Sequence, residues 1–198
     1  MQKGMKSLVL FLIAGLLLVS LAGFAQDKQP LYKSSFFGIR SNGTTDNTTS
    51  IQKAIDFIAE KGGGTLEFSV GRYLTGAVQL KSGVNISLRE GAIIVGSTNI
   101  YAYGGHKGIF WGEGLTDVSI YGKGVFDGQG PELLKNIREQ IKMRHIPDDV
   151  VVPALLYLKD CKGVMLQNFI CRYPATRDQL YIIEGGDVKV DGCYTDIR

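Results

Sequence analysis

The residues able to do chemistry are few and scattered. Asp148 and Asp149 follow Pro147 as adjacent carboxylates, the kind of pair that serves acid and base catalysis. They stand at the exit of a helical segment, where the plainer reading is a solvated turn. His106 lies in a glycine-rich stretch from Tyr101 to Gly114 with Tyr103, Phe110 and Trp111, aromatic residues that could line a surface. A lone histidine in such a loop is more often a hydrogen-bonded bystander than a ligand. Gly122 to Gly130 has the glycine density of a nucleotide loop, but it lacks the lysine and Ser/Thr of a P-loop and the βαβ context of a dinucleotide fingerprint, so these read as turn glycines. Cys161, Cys171 and Cys193 are odd in number and lack metal-ligand spacing. They read as small buried hydrophobes, and neither a metal nor another cofactor is expected.

The elements that must position these residues are written as repeats. Asp160 to Asn168 and Glu184 to Gly192 carry one phrase twice: apolar, any, apolar, any, then Asn or Gly, a short period-two strand closed by a turn. The phrase also occurs at Val118 to Gly122 and, less cleanly, at Val84 to Leu88. The leading valines are 34, 46 and 24 residues apart. Since 46 is twice 23, a unit of about two dozen residues fits the last three copies. So short a unit cannot enclose a core alone and must stack on its neighbours, which makes a solenoid.

Ile51, Ala54, Ile55, Ile58 and Ala59 form one helical stripe. Thr49 with Gln52 fits a capping box, Asn47 and Thr48 are alternative caps, and Gly62 ends the helix. Placed before the first strand, Thr65 to Phe68, this helix can cover the open end of a solenoid. Pro131 opens a second helical segment through Leu133, Leu134, Ile137 and Ile141, so residues 131–147 are an excursion, and this explains the double-length interval.

With 198 residues, 44% hydrophobic and 21% charged, and 26 glycines, the chain suits one turn-rich domain. Residues 1–25 read as a secretory signal: Lys3 and Lys6, an apolar run from Leu8 to Ala22, and small residues at Gly23-Phe24-Ala25. The run is short for a membrane anchor. Without it the formal charge falls from +3 to about +1, which gives no electrostatic case for a nucleic-acid partner. Residues 26–198 are expected to be secreted or periplasmic, with no stable membrane insertion.

An ordered series of motifs now carries a resemblance. Phe37-Gly38-Ile39, the polar turn with Asp46, Ile51 to Ile55, Gly62-Gly63-Gly64-Thr65, Gly71 to Gly76, Leu80-Lys81-Ser82, Gly91-Ala92, Gly96-Ser97-Thr98 and Gly124 to Gly130 are, in that order, similar to the N-terminal half of the polygalacturonase-type glycoside hydrolases of family 28. The resemblance covers nearly all of residues 26–198. It implies an all-β fold, a right-handed parallel β-helix with an N-terminal capping helix, acting on pectin-type polysaccharides by inverting hydrolysis. That mechanism needs an acid and a base about 6.5–9.5 Å apart. The family's Asn-x-Asp, Gly-Asp-Asp, His-Gly and Arg-x-Lys motifs have no match. Gly186-Asp187 runs on into Val188, and no catalytic pair can be nominated in this chain.

A solenoid also needs a terminal cap, and none follows the last repeat, so the expectation is a truncated β-helix that stops before its catalytic coils. The alternatives are a pectate-lyase-like enzyme and a non-catalytic glycan-binding or structural β-helix. The family register places Arg177, Asp178 and Gln179 beneath the position of the first catalytic aspartate, one coil earlier. The resemblance therefore makes them candidate substrate-binding residues, with Arg177 able to pair with a substrate carboxylate.

Overall fold

A computed structural model describes residues 29–196, so the signal-peptide reading of residues 1–25 falls outside it. The strands are β1 (Leu31–Lys33), β2 (Gly64–Phe68), β3 (Gly71–Thr75), β4 (Val78–Gln79), β5 (Val84–Leu88), β6 (Ala92–Gly96), β7 (Gly108–Glu113), β8 (Ser119–Gly122), β9 (Val125–Asp127), β10 (Ala154–Gln167), β11 (Ile170–Arg172), β12 (Tyr181–Asp191) and β13 (Tyr194–Asp196). Two α-helices interrupt them, α1 (Thr48–Glu60) and α2 (Gly130–Lys142).

Strand pairs are parallel throughout and link one coil to the next, which makes the fold a parallel β-helix with three faces. The first face stacks β1, β2, β5, β8 and the second halves of β10 and β12, and the second stacks β3, β6, β9, β11 and β13. The third stacks β4, β7, the first half of β10 and the first half of β12. β10 and β12 run through the corner between the third and first faces, with their register shifting between Cys161 and Val164. Gly186 sits at that corner with φ 84°, and a Cβ on it would lie 2.1 Å from the Cys161 carbonyl oxygen. Only glycine allows the two coils to stack there.

Period-two alternation fills the interior with rows of like residues. Ile86, Ile120 and Leu166 lie in register and are fully buried, and Val190 continues the row on β12. Phe110, Phe126 and Phe169 form an edge-to-face column with ring centroids 5.4 and 5.3 Å apart, a geometry that matches the aromatic quadrupoles.

α1 closes the first coil by the stripe read from sequence. Ile51, Ala54, Ile55 and Ile58 are fully buried, and the helix packs on β2, β4, β5 and the 3-10 turn Ser34–Phe37. Its side chains also satisfy strand backbone. The Gln79 N–H donates to Gln52 Oε1 (2.7 Å), Gln52 Nε2 donates to the Gln79 carbonyl (3.1 Å), and the Gly76 N–H donates to Thr48 Oγ1 (2.7 Å). An amide side chain thus takes the place of the missing neighbouring strand. Beyond the helix, Gly62 and Gly63 donate to Ala59 and Ile58 in a left-handed terminus.

Several local expectations need correction. The first strand is β1, ahead of the helix. The Thr49 and Gln52 capping box does not form, because Gln52 is engaged with Gln79 and Asp46 Oδ1 accepts from the Thr48 N–H (2.8 Å). Asn47 precedes the helix, but its side chain bonds the Arg40 backbone instead of capping. Tyr101 to Gly114 is largely structured, and its Tyr103 and Phe110 belong to the core, whereas His106 and Trp111 reach the surface. Cys161 and Cys171 are buried free thiols as expected, whereas Cys193, on the last coil, is only half-buried.

Candidate functional site

The outer surface of the third face gathers most of the chemistry. On β7 Phe110 points inward, so its neighbour Trp111 points out, paired with Gln79 on one side and Tyr157 on the other; Ile182 follows Tyr157 on β12. The adjacent outward row reads Glu113, Lys159, Glu184, alternating in charge between neighbouring strands.

A tight turn at Gly104 and Gly105, with φ of 56° and 81°, brings His106 back over this surface. Its ring stacks on Trp111 with centroids 4.2 Å apart and planes at 14°. The next residue, Lys107, is tied to the following coil through its carbonyl, which accepts from the Ala154 N–H (2.8 Å). The Lys107 ammonium lies 4.9 Å from the centroid of the Tyr157 ring and 3.4 Å from its hydroxyl, and reaches Glu184 Oε1 at 3.6 Å. The Tyr157 hydroxyl donates to Glu184 Oε2 at 2.8 Å.

Burial and the bond to Glu184 push the Tyr157 phenol above its usual pKa. The same hydrogen bond holds the Glu184 carboxyl below its ordinary value against the opposing effect of desolvation, and Lys107 adds to the lowering. Lys107 is raised in turn by its hydrogen bond to Tyr157 and by the charge of Glu184. Glu184 is therefore stabilised as a carboxylate, and Lys159 stands between it and Glu113.

Arg177, Asp178 and Gln179 form a 3-10 turn between β11 and β12, at the corner leading into this same face. Gln179 Nε2 donates to the Val152 carbonyl (2.7 Å), and the Leu156 N–H donates to the Leu180 carbonyl (3.2 Å), which seats the turn on the coil of β10. Gln179 is thus partly committed to structure, although its Oε1 is buried without a partner among the described residues. Arg177 and Asp178 are exposed, and among the described residues neither side chain is engaged in an ion pair or hydrogen bond.

The other sequence candidates do not join this face. Asp148 and Asp149 are exposed in the turn after α2, and Asp187 is exposed at the corner of β12. The glycines of residues 122–130 serve close packing: a Cβ on Gly130 would lie 2.1 Å from the Pro174 carbonyl oxygen. Between them Asp127 is a buried carboxylate on the second face. It accepts from Arg172 Nη2 (2.9 Å) and Nε (3.3 Å) and from the Gln129 N–H (3.2 Å), with Arg72 at 3.8 Å. Among the described residues no three His, Cys, Asp or Glu side chains are grouped to hold a metal, and no helix is long and apolar enough to cross a membrane. Sequence reasoning missed Lys107, Tyr157 and Glu184, because they stand 50 and 27 residues apart and only strand register unites them.

No protein-family model matches the chain. It is 33% identical over 160 aligned residues to the exo-poly-α-D-galacturonosidase of Dickeya chrysanthemi, an alignment covering 71% of this chain and 26% of that enzyme. The chain thus spans about a quarter of its curated relative. Among solved structures, a candidate glycosyl hydrolase from Parabacteroides merdae superposes with a TM-score of 0.81 at 36% identity, covering 84% of this chain and 75% of that one. The family 28 exopolygalacturonase of Yersinia enterocolitica gives 0.74 at 22% identity over 86% and 39% of the two chains, which speaks for the fold alone. Shared coils and a third of the residues in common lead to one conclusion: the chain belongs to the polygalacturonase-like glycoside hydrolases of family 28.

Proposed function

We propose that this protein is an exported polygalacturonase-type enzyme that hydrolyses pectin-like polysaccharide along its third face, and that the acid and base stand on further coils stacked beyond β12 and β13. The observation that carries the reading is at the exposed edge of β12. Ile183 and Val190 continue the rows of Leu158 and Leu166, which are fully buried, yet they are 37% and 39% exposed themselves. Residues with an interior pattern at an uncovered edge favour a further coil above them. Export to the periplasm or the medium is supported by the apolar run after Lys3 and Lys6.

On this reading the turn at Arg177, Asp178 and Gln179 borders the cleft one coil before the chemistry, and the unengaged Arg177 guanidinium meets a uronate carboxylate. The test is Arg177→Ala in a form of the protein extended beyond Arg198. A raised KM for polygalacturonate with kcat and the melting temperature little changed supports the assignment; unaltered kinetics removes Arg177 from the cleft. A binding face with no acid and base pair would also suit a non-catalytic glycan-binding β-helix. Reducing-end release by the extended form separates the two.

A further inference from the structure

We propose that His106, Lys107, Trp111, Tyr157 and Glu184 form a binding subsite for one pyranose residue of a polysaccharide chain, distal to the position of cleavage. The inference rests on the reading of the third face as the polysaccharide-binding face. Lys107 and Glu184 are 48% and 44% exposed, so the pair itself adds little to stability, yet a buried Tyr157 hydroxyl holds both in place from beneath. Donor and acceptor are thereby fixed side by side at the surface, an arrangement that reads two neighbouring hydroxyls, or a hydroxyl and a carboxylate, without first having to be ordered. Beside them the imidazole of His106, backed by Trp111 at 4.2 Å, offers a flat apolar surface to the C–H face of a sugar ring.

The position suits a chain bound along the face. β7, β10 and β12 are successive strands about 4.8 Å apart, so the cluster spans the coil that the Arg177 turn leads into, through Glu184, and the two coils before it, through Tyr157, Lys107 and Trp111. Tyr157, buried and bonded to both charged groups, acts as the positioning residue. His106, Lys107 and Glu184 make the contacts.

Trp111 is the single tryptophan of the sequence, so its fluorescence reports on this subsite alone. The intact 198-residue chain is titrated with tetragalacturonate and, separately, with a neutral galactotetraose. A saturable change is expected, with the midpoint raised about tenfold in Lys107→Met and in Glu184→Gln through loss of one charge-assisted hydrogen bond, and with Lys107→Arg closer to the parent. A response to the acidic sugar alone assigns Lys107 to a carboxylate, and a response to both assigns the pair to hydroxyls. Because both substituted groups are half exposed, an unchanged far-ultraviolet spectrum shows the variants folded. No fluorescence change with either sugar, or equal midpoints in the parent and both variants, overturns the proposal. If an extended form leaves polygalacturonan uncut while the Trp111 response is present and weakened in both variants, the hydrolase reading falls and the subsite stands.

Discussion

Replacing Asp127 by Ala should be among the most damaging single changes on the second face. Its side chain is 6% exposed and is the common acceptor for Arg172, which is 27% exposed, and the Gln129 N–H, with Arg72 3.8 Å away. Removing one partner of a buried ion pair costs about 3–5 kcal/mol, because the other charge is left desolvated and unpaired. Arg172 retains some solvent, and Asp196 stands opposite it in register on β13, so about 2–3 kcal/mol is the better figure here. For a chain of this size that lowers the melting temperature by about 5–10 °C. Asp127→Asn keeps an acceptor for Gln129 and loses the charge, so it should fall between the parent and Ala. Thermal unfolding followed by circular dichroism decides. A drop below about 2 °C for Asp127→Ala would show that the cluster is solvated and that the reasoning from burial is wrong.

Three further outcomes follow from other parts of the molecule. Gln52→Leu removes both amide bonds to the exposed Gln79 backbone at the edge of β4 and should destabilise by about 0.5–1.5 kcal/mol; a neutral effect in the same melting assay would mean that water replaces the amide. Burial pushes the Cys171 thiol up to about 12, with a smaller contribution from Cys193, so alkylation of the native protein near neutral pH should label Cys193 first, and equal rates would contradict the burial. Glu184 has a folded-state pKa below its ordinary 4.5, so its contribution to stability is present above that value and is lost as the pH falls through the folded one. The melting-temperature difference between parent and Glu184→Gln should accordingly be constant at neutral pH and shrink in acid; a difference that does not change with pH would dissociate Glu184 from Tyr157 and Lys107.

The architecture was legible because solenoid physics writes itself into sequence: the row through Ile86, Ile120 and Leu166 repeats along the chain as it stacks in space. α1 was legible for the same kind of reason, its stripe being local. The cluster over Trp111 was not, since residues 107, 157 and 184 acquire meaning only from register. Tyr103 and Phe110 were misplaced because the glycines around them, at 104, 105 and 108, disguise a 3-10 turn and a strand as an open loop. The three-residue β1 is too short for any periodic signal, and it is defined by its partner β2. Arg177, Asp178 and Gln179 were reached through family register, and the structure adds what that register lacked: Gln179 is half spent on the Val152 carbonyl, while Arg177 and Asp178 are unengaged.

The proposed function puts polysaccharide binding on these coils and the hydrolytic carboxylates on coils beyond β13. Reducing-end release from polygalacturonan by the purified 198-residue chain tests it most directly. No release is expected, at any pH, from a folded chain whose Trp111 still responds to oligogalacturonide. Measurable release that is lost on substituting a carboxylate within residues 29–196 would contradict it and place the acid or the base among residues assigned here to binding or to structure.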